Sequence, residues 1–272
     1  MPDEPNRLSK EEREDVKELS APRAPVIYEV VRRQGEEELR RPVGSLFWSG
    51  IGGGVMMLAS VIAQGATMMK LPASVPWRQP VGDIAYSLGF IMVILGRVQL
   101  FTEQTIVAVL PVMASPGWRK LAIVLRLWAV VFIANMIGTA IAAALSVQGH
   151  LMDPGLLASM LEVSDRLRQH APRDLFLYAI PAGFLIAAVA WIRAGIMSGE
   201  FWIVLVITST IALGDFIHVV AGGAETFLLL FAGRIDAAQA VAGIVAPVLG
   251  GNIIGGTLLF ALLAHAQVRQ EL

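Results

Sequence analysis

There is no cysteine among the 272 residues, so disulfides, thiol chemistry and cysteine-ligated metals are excluded. The same absence leaves the redox compartment without a signature. Charge is scarce too. Only 16% of residues are Asp, Glu, Lys or Arg, and the net charge is −1. A nucleic-acid-binding face wants an excess of base, and the chain has none. The N-terminus lacks the short apolar core and small-residue cleavage site of a cleaved signal peptide. Gly-x-Ser-x-Gly, His-Glu-x-x-His and phosphate-loop motifs are also missing.

What the chain has in quantity is apolar surface: 56% hydrophobic residues and a mean hydropathy of +0.65. At this length the combination points to an all-α polytopic membrane protein. Six apolar segments, at about 45–69, 83–114, 121–145, 174–193, 200–232 and 241–265, each approach the ~20 residues needed to cross a bilayer. The second and fifth are too long for one straight span and have polar or glycine-rich centres, so both read as broken helices. This divides the chain into a charged cytoplasmic segment, 1–43, a six-span pore domain, 44–266, and a cytoplasmic tail, 267–272.

The first segment mixes acids and bases, as in Lys10-Glu11-Glu12-Arg13-Glu14-Asp15. It reads as a solvated tail with one or two surface helices, the sharper alternative being a helix that docks on neighbouring subunits. Arg32, Arg33, Arg40 and Arg41 ahead of the first span favour a cytoplasmic N-terminus, and six crossings return the C-terminus to the same side. The connection 146–173 predicts an amphipathic helix starting at Pro154 and lying on the external surface, with Arg166, Arg168, His170 and Arg173 on a solvated face or lining a vestibule.

Within the fifth segment, residues 213–225 carry Asp215, His218, Glu225 and three glycines at membrane depth. Ionisable groups there are expensive and rarely face lipid, which makes them functional candidates. Glycines in the same place mark a break, tolerated only against protein or a water-lined cavity.

An internal repeat connects this stretch to the second segment. Asn135-Met136-Ile137-Gly138 and Asn252-Ile253-Ile254-Gly255 share an Asn-x-Ile-Gly core 117 positions apart (252 − 135). The same offset carries Phe101 onto His218, so the polar interruption Gln99-Leu100-Phe101-Thr102-Glu103-Gln104 falls where the histidine interruption falls. Two halves of three spans each must run in opposite directions, which is the 3+3 inverted-repeat arrangement. Asn135 and Asn252 read as buried amides satisfying backbone groups freed by the breaks, with Gly138 and Gly255 permitting close helix contact.

Together, Leu100-Phe101-Thr102, Asn135-x-x-Gly138, Phe216-x-His218-x-x-Ala221 and Gly251-Asn252-x-x-Gly255-Gly256 resemble the formate/nitrite transporters over about residues 44–266. The resemblance implies an aquaporin-like six-span subunit with broken helices 2 and 5, assembled into a homopentamer in a bacterial inner membrane. It also implies passage of small monovalent anions such as formate, nitrite or hydrosulfide, without cofactor or metal. By the same resemblance His218 is the central pore histidine, and Leu100, Phe101 and Thr102 form the loop that breaks the second helix.

The chemistry is consistent with that. A bare anion is heavily penalised in a narrow apolar pore, and protonation removes most of the cost. Histidine is the side chain suited to proton exchange near neutrality. The chain departs from the family pattern at Gln99, Glu103, Ile217 and Gly222, and it adds Arg97 and Asp215 at membrane depth. Arg97 is expected to pair with Glu103 or Asp215, or to snorkel. Glu103 and Glu225 are expected to cap the helix breaks, or else to face the pore and repel anions. A same-fold pore for a neutral solute or cation stays open. So does an intramembrane enzyme using Asp215 and His218, three apart on a helix, as acid and base.

Overall fold

A computed structural model describes residues 9–12, 20–149 and 151–271. Arg13, Glu14 and Asp15 of the charged run, and His150, lie outside the described residues. All regular structure among the described residues is helical. Four helices are long and apolar enough to cross a membrane: α2 (Val43–Lys70), α7 (Trp118–Val147), α9 (Pro172–Ala194) and α12 (Gln239–Val268). α12 contains two wider-wound π stretches, Gln239–Val245 and Ile254–Ala261. Between these rods the chain runs in shorter pieces. Between α2 and α7 lie α3 (Arg78–Ala85), α4 (Ser87–Leu95), α5 (Phe101–Val107) and α6 (Leu110–Ala114). Between α9 and α12 lie α10 (Glu200–Leu213) and α11 (Val219–Phe231).

The long helices cross in pairs where the sequence supplies small residues. A Cβ on Gly54 of α2 would collide with the Asn135 carbonyl of α7, and one on Gly138 would strike the Ile51 carbonyl. The same happens where α9 meets α12: Gly183 lies against the Asn252 carbonyl and Gly255 against the Ile180 carbonyl. In lipid no apolar drive pulls helices together, so this backbone-to-backbone approach is what dispersion and packing can use. Both crossings put an asparagine at the contact, and that positions the site.

One expectation fails. Part of the N-terminal segment is not a solvated tail, because α1 (Ala24–Arg40) folds back onto this chain's own helices, burying Tyr28 and Val31 completely. The Tyr28 hydroxyl meets His265 Nδ1 near the end of α12 at 2.7 Å, and Gly35 packs on the Val107 carbonyl. The connection before α9 does start a helix at Pro154, α8 (Pro154–Ser164), whose N-cap Asp153 accepts from the Gly155 N–H at 2.8 Å. The helix is two-faced: Pro154, Gly155, Ala158 and Glu162 are exposed, while Met160 and, just beyond, Leu167 are buried and Met160 packs on Gly65 of α2. Its apolar face found protein rather than lipid headgroups.

Candidate functional site

The site is built from two interruptions of similar design. α4 ends at Leu95, and Arg97 then takes a left-handed conformation, φ 55°. The Val98 N–H reaches the Val93 carbonyl (3.2 Å) and the Arg97 N–H the Ile94 carbonyl (3.3 Å). That is a Schellman ending, in which glycine normally occupies the left-handed position. Leu100 is extended and starts α5. The second interruption repeats these steps. α10 ends at Leu213, Asp215 is left-handed with φ 52°, and Phe216 and Asp215 bond back to Ile211 and Ala212 at 3.0 Å each. His218 is extended and starts α11.

Each interruption exposes backbone groups, and an asparagine from a long helix satisfies them. Asn135 accepts from the Phe101 N–H (2.9 Å) and donates to the Gly50 and Gln99 carbonyls (2.7 and 2.9 Å). Asn252 accepts from the Val219 N–H (2.8 Å) and donates to the Ala179 and Ile217 carbonyls (2.7 and 3.0 Å). Neither amide is exposed. Away from water an orphaned peptide group costs about 1–3 kcal/mol, so each triplet holds its interruption in place. These bonds correct the register read from sequence. The residue equivalent to His218 is Leu100, not Phe101: the interruptions are 118 positions apart (218 − 100), whereas the asparagines are 117 apart. One residue fewer separates the second interruption from its asparagine.

At the meeting of the two helix starts, His218 Nε2 lies 2.6 Å from Thr102 Oγ1, and both residues are fully buried. The Ala221 N–H donates to His218 Nδ1 at 3.3 Å. With Nδ1 accepting, the proton of neutral imidazole resides on Nε2 and is donated to Thr102. The edge of the Phe90 ring packs on the imidazole at 4.8 Å between centroids. Leu100 is buried, while the Phe101 ring turns to α7, against Trp128 and Phe132.

The charged candidates do not gather at the histidine. Arg97 pairs with Glu200 (3.3 Å), not with Glu103 or Asp215. Glu103 caps no helix start: it bonds Arg193 at 2.8 Å, and Arg193 also bonds Glu200 at 3.0 Å. Glu225 sits in the second turn of α11, too far along to cap, and accepts from the Tyr86 hydroxyl (3.1 Å) and Arg166 (3.2 Å). Asp215 and His218 do not share a helix, since α11 starts after His218. Asp215 faces solvent and its charge partner is Arg166, 3.8 Å away. Gln99 bridges Gln104 and Glu38 of α1 at 2.9 Å each.

Two polar cavities flank these elements. One, of about 310 Å³, is lined by Glu38, Arg97, Gln99, Glu103, Gln104 and Arg193. The other, of about 430 Å³, is lined by Gln64, Arg78, Asp83, Glu162, Arg166 and Asp215. Thr102 directly precedes a residue of the first, and His218 lies three residues after one of the second. Arg193, Glu200, Asp83 and Gln64 were not singled out as site residues from the sequence; the one available signal was Asp83, a carboxylate beside an apolar run. No cluster of three or more His, Asp or Glu side chains among the described residues is arranged to hold a metal ion.

Among the described residues, four membrane-length apolar helices and two short helices that begin beside a buried His–Thr contact are the layout of a polytopic helical membrane protein. The chain is a member of the formate/nitrite transporter family, whose model matches residues 25–266. It is 36% identical over 250 residues to the inner membrane protein YfdC of Escherichia coli (strain K12), covering 92% of this chain and 80% of that protein. Its fold resembles a pentameric formate channel with formate bound, TM-score 0.73, at 18% identity over 84% of this chain and 98% of the other. It also resembles an ion channel of the same family, TM-score 0.72 and 18% identity, over 90% and 98% of the two chains.

Proposed function

We propose that the chain is one subunit of a membrane pore for small monovalent anions of weak acids, such as formate, nitrite or hydrosulfide, and that His218 is where the permeant's charge is neutralised. The observation that carries this is the fully buried 2.6 Å contact between His218 and Thr102 where two helix starts meet. An anion reaching that point leaves water, and sharing or accepting a proton there lowers the barrier to crossing. Thr102 orients the imidazole, and Leu100 with the Phe101 backbone narrows the passage.

In this reading there are six crossings in two inverted halves. The second crossing is α3 to α6, broken at 96–100, and the fifth is α10 and α11, broken at 214–218. The matched Schellman endings and asparagine triplets support it. Residues 1–43 and 267–272 lie in the cytoplasm, flanking the pore domain 44–266. The similarity to a pentameric channel supports a homopentamer, and the likeness to YfdC supports an inner membrane in a bacterium. The protein is a transporter and not an enzyme, and transport needs no cofactor.

Purified protein in liposomes tests the reading. Uptake of formate, nitrite, hydrosulfide, acetate, ammonium and glycerol is compared at two pH values. Small weak-acid anions should pass with a rate that depends on pH. His218→Phe should abolish that dependence while the protein still assembles, and unchanged transport in this variant would remove the histidine from the mechanism.

A further inference from the structure

Where α1 lies across the ends of α6 and α12, away from the His218 site, a cavity of about 620 Å³ opens with Glu29, Arg32, Met113, Pro116, His265 and Arg269 in its wall. Its charges do not cancel. On α1, Arg32 and Arg33 are offset by Glu29 and Glu36, with ion pairs of 2.6 to 2.7 Å. Glu271 is taken by Arg23 at 2.8 Å. Arg269, exposed at the end of α12, is left with no carboxylate partner among the described residues. Arg119 and Lys120, just beyond Pro116, are left in the same condition.

Donors remain as well as charge. Arg32 gives one N–H from each of its three nitrogens to Glu29 and Glu36, so two of the five guanidinium N–H groups are spare. The hydroxyl of the buried Tyr28 has His265 Nδ1 as its one acceptor, at 2.7 Å. A buried hydroxyl gives its hydrogen to the acceptor it has, which leaves the N–H of neutral imidazole on Nε2, at the more open edge of a partly exposed ring.

The surroundings identify the depth. Leu262, His265 and Arg269 lie at i, i+3 and i+7, on one face of the last two turns of α12. Leu262 is exposed, so this face passes from apolar to basic within about 10 Å. Trp118, two residues after Pro116 and the first residue of α7, is 86% exposed. An indole standing out at the start of a membrane-length helix marks the boundary between lipid and water. Free cations on one side of that boundary and an exposed leucine on the other match the order of a bilayer leaflet, phosphate and then acyl chain.

We propose that this cavity seats the headgroup phosphate of an anionic membrane lipid, held by Arg269, the Nε2–H of His265 and the spare N–H groups of Arg32. A phosphate from water would meet the same donors but make no use of Leu262, along which the acyl chain runs. Bound there, the lipid ties α1 to α12 alongside the Tyr28–His265 bond. In the orientation proposed above the site faces the cytoplasmic leaflet, where anionic lipids attract clustered arginines. It does not depend on what the pore passes.

Two measurements on the full-length protein in neutral detergent test this. In the first, the protein is melted at rising concentrations of dioleoylphosphatidylglycerol. The lipid should stabilise it, and the half-maximal concentration should rise about tenfold in Arg269→Gln, the worth of one charge-assisted hydrogen bond. Arg40→Gln removes an exposed cation of α1 outside the cavity and should leave that concentration unchanged. In the second, the same lipid should raise amide-exchange protection of residues 24–40 in the wild type and not in Arg269→Gln. Equal stabilisation by dioleoylphosphatidylcholine, or equal weakening in the two variants, would reduce the site to unspecific surface attraction and overturn it. Equal stabilisation by glycerol phosphate would overturn the lipid as occupant in favour of a phosphate from water.

Discussion

At residue 97 the chain turns through a left-handed arginine, and at residue 215 through a left-handed aspartate. In both places a Schellman ending is followed by three residues without regular structure, a new helix start and an asparagine from a distant rod. The residue at the tip differs: Leu100 in one, His218 in the other. The backbone device is used twice and the titratable chemistry once, so the hydrogen-bond frame makes the site possible without itself being the site. The surroundings differ as well. The first interruption is covered by α1, through Gln99 and Glu38, whereas the second has Arg166 from the connection before α9.

Removing the frame is the largest perturbation. Asn135→Ala and Asn252→Ala each delete three hydrogen bonds and leave buried carbonyls and an N–H without partners. Each should cost on the order of 3 kcal/mol or more, because no water is at hand to replace the amide. If the two frames are equivalent, the apparent melting temperatures of the purified variants should fall by similar amounts. A large drop in one variant only would show that the likeness of the two interruptions is geometric and not energetic.

The parts legible in the sequence were those that apolar surroundings make conspicuous. An amide in a hydrophobic run has to find backbone partners, so Asn135 and Asn252 stood out, as did a histidine among glycines. The one-residue slip between the interruptions was not legible, because matching the asparagine cores says nothing of how much chain lies between them and the breaks. Nor were the partners of the charges. Arg97 looked closest to Glu103 along the chain, yet its left-handed backbone turns it to Glu200 on α10. Arg166 had the spacing of a solvated face. Its burial depends on α8 packing inward, which is settled by Gly65 and Met160 over ninety residues apart.

A smaller effect separates the two turns themselves. Left-handed backbone costs a side chain about 1–2 kcal/mol, and aspartate bears it better than arginine because its short carboxylate can bond locally. Glycine removes that strain but has more unfolded-state freedom to lose, about 0.5–1 kcal/mol. The ion pairs given up, Arg97 with Glu200 and Asp215 with Arg166, involve exposed side chains and are worth little. Arg97→Gly should therefore raise the apparent melting temperature slightly, by up to about 1 kcal/mol of stability, and Asp215→Gly should be near neutral. The reverse order would mean that the Arg97–Glu200–Arg193–Glu103 chain of charges holds the first turn more firmly than its solvent exposure implies.

The smallest effect bears on the cover that only one interruption has. On α1, Glu29 accepts from Arg32 at 2.7 and 2.9 Å and from Arg33 at 2.7 Å. The bonds to Arg32 and then Arg33 hold its carboxyl at about 2, below the ordinary value of about 4.3. A depressed carboxyl contributes stability in full above the unfolded value and loses it as pH falls through the folded one. Glu29→Gln should thus lower amide-exchange protection of residues 24–40 to the same extent at pH 7 and pH 5. The difference from wild type should shrink below about pH 4 and be nearly gone near pH 2. The change should be modest, because the group is largely solvated. Since α1 reaches the first interruption through Glu38 and Gln99, any loosening should spread to residues 96–100 and leave 214–218 untouched. Equal loosening of both would mean that the two interruptions move as one unit, and that the cover over the first is not specific to it.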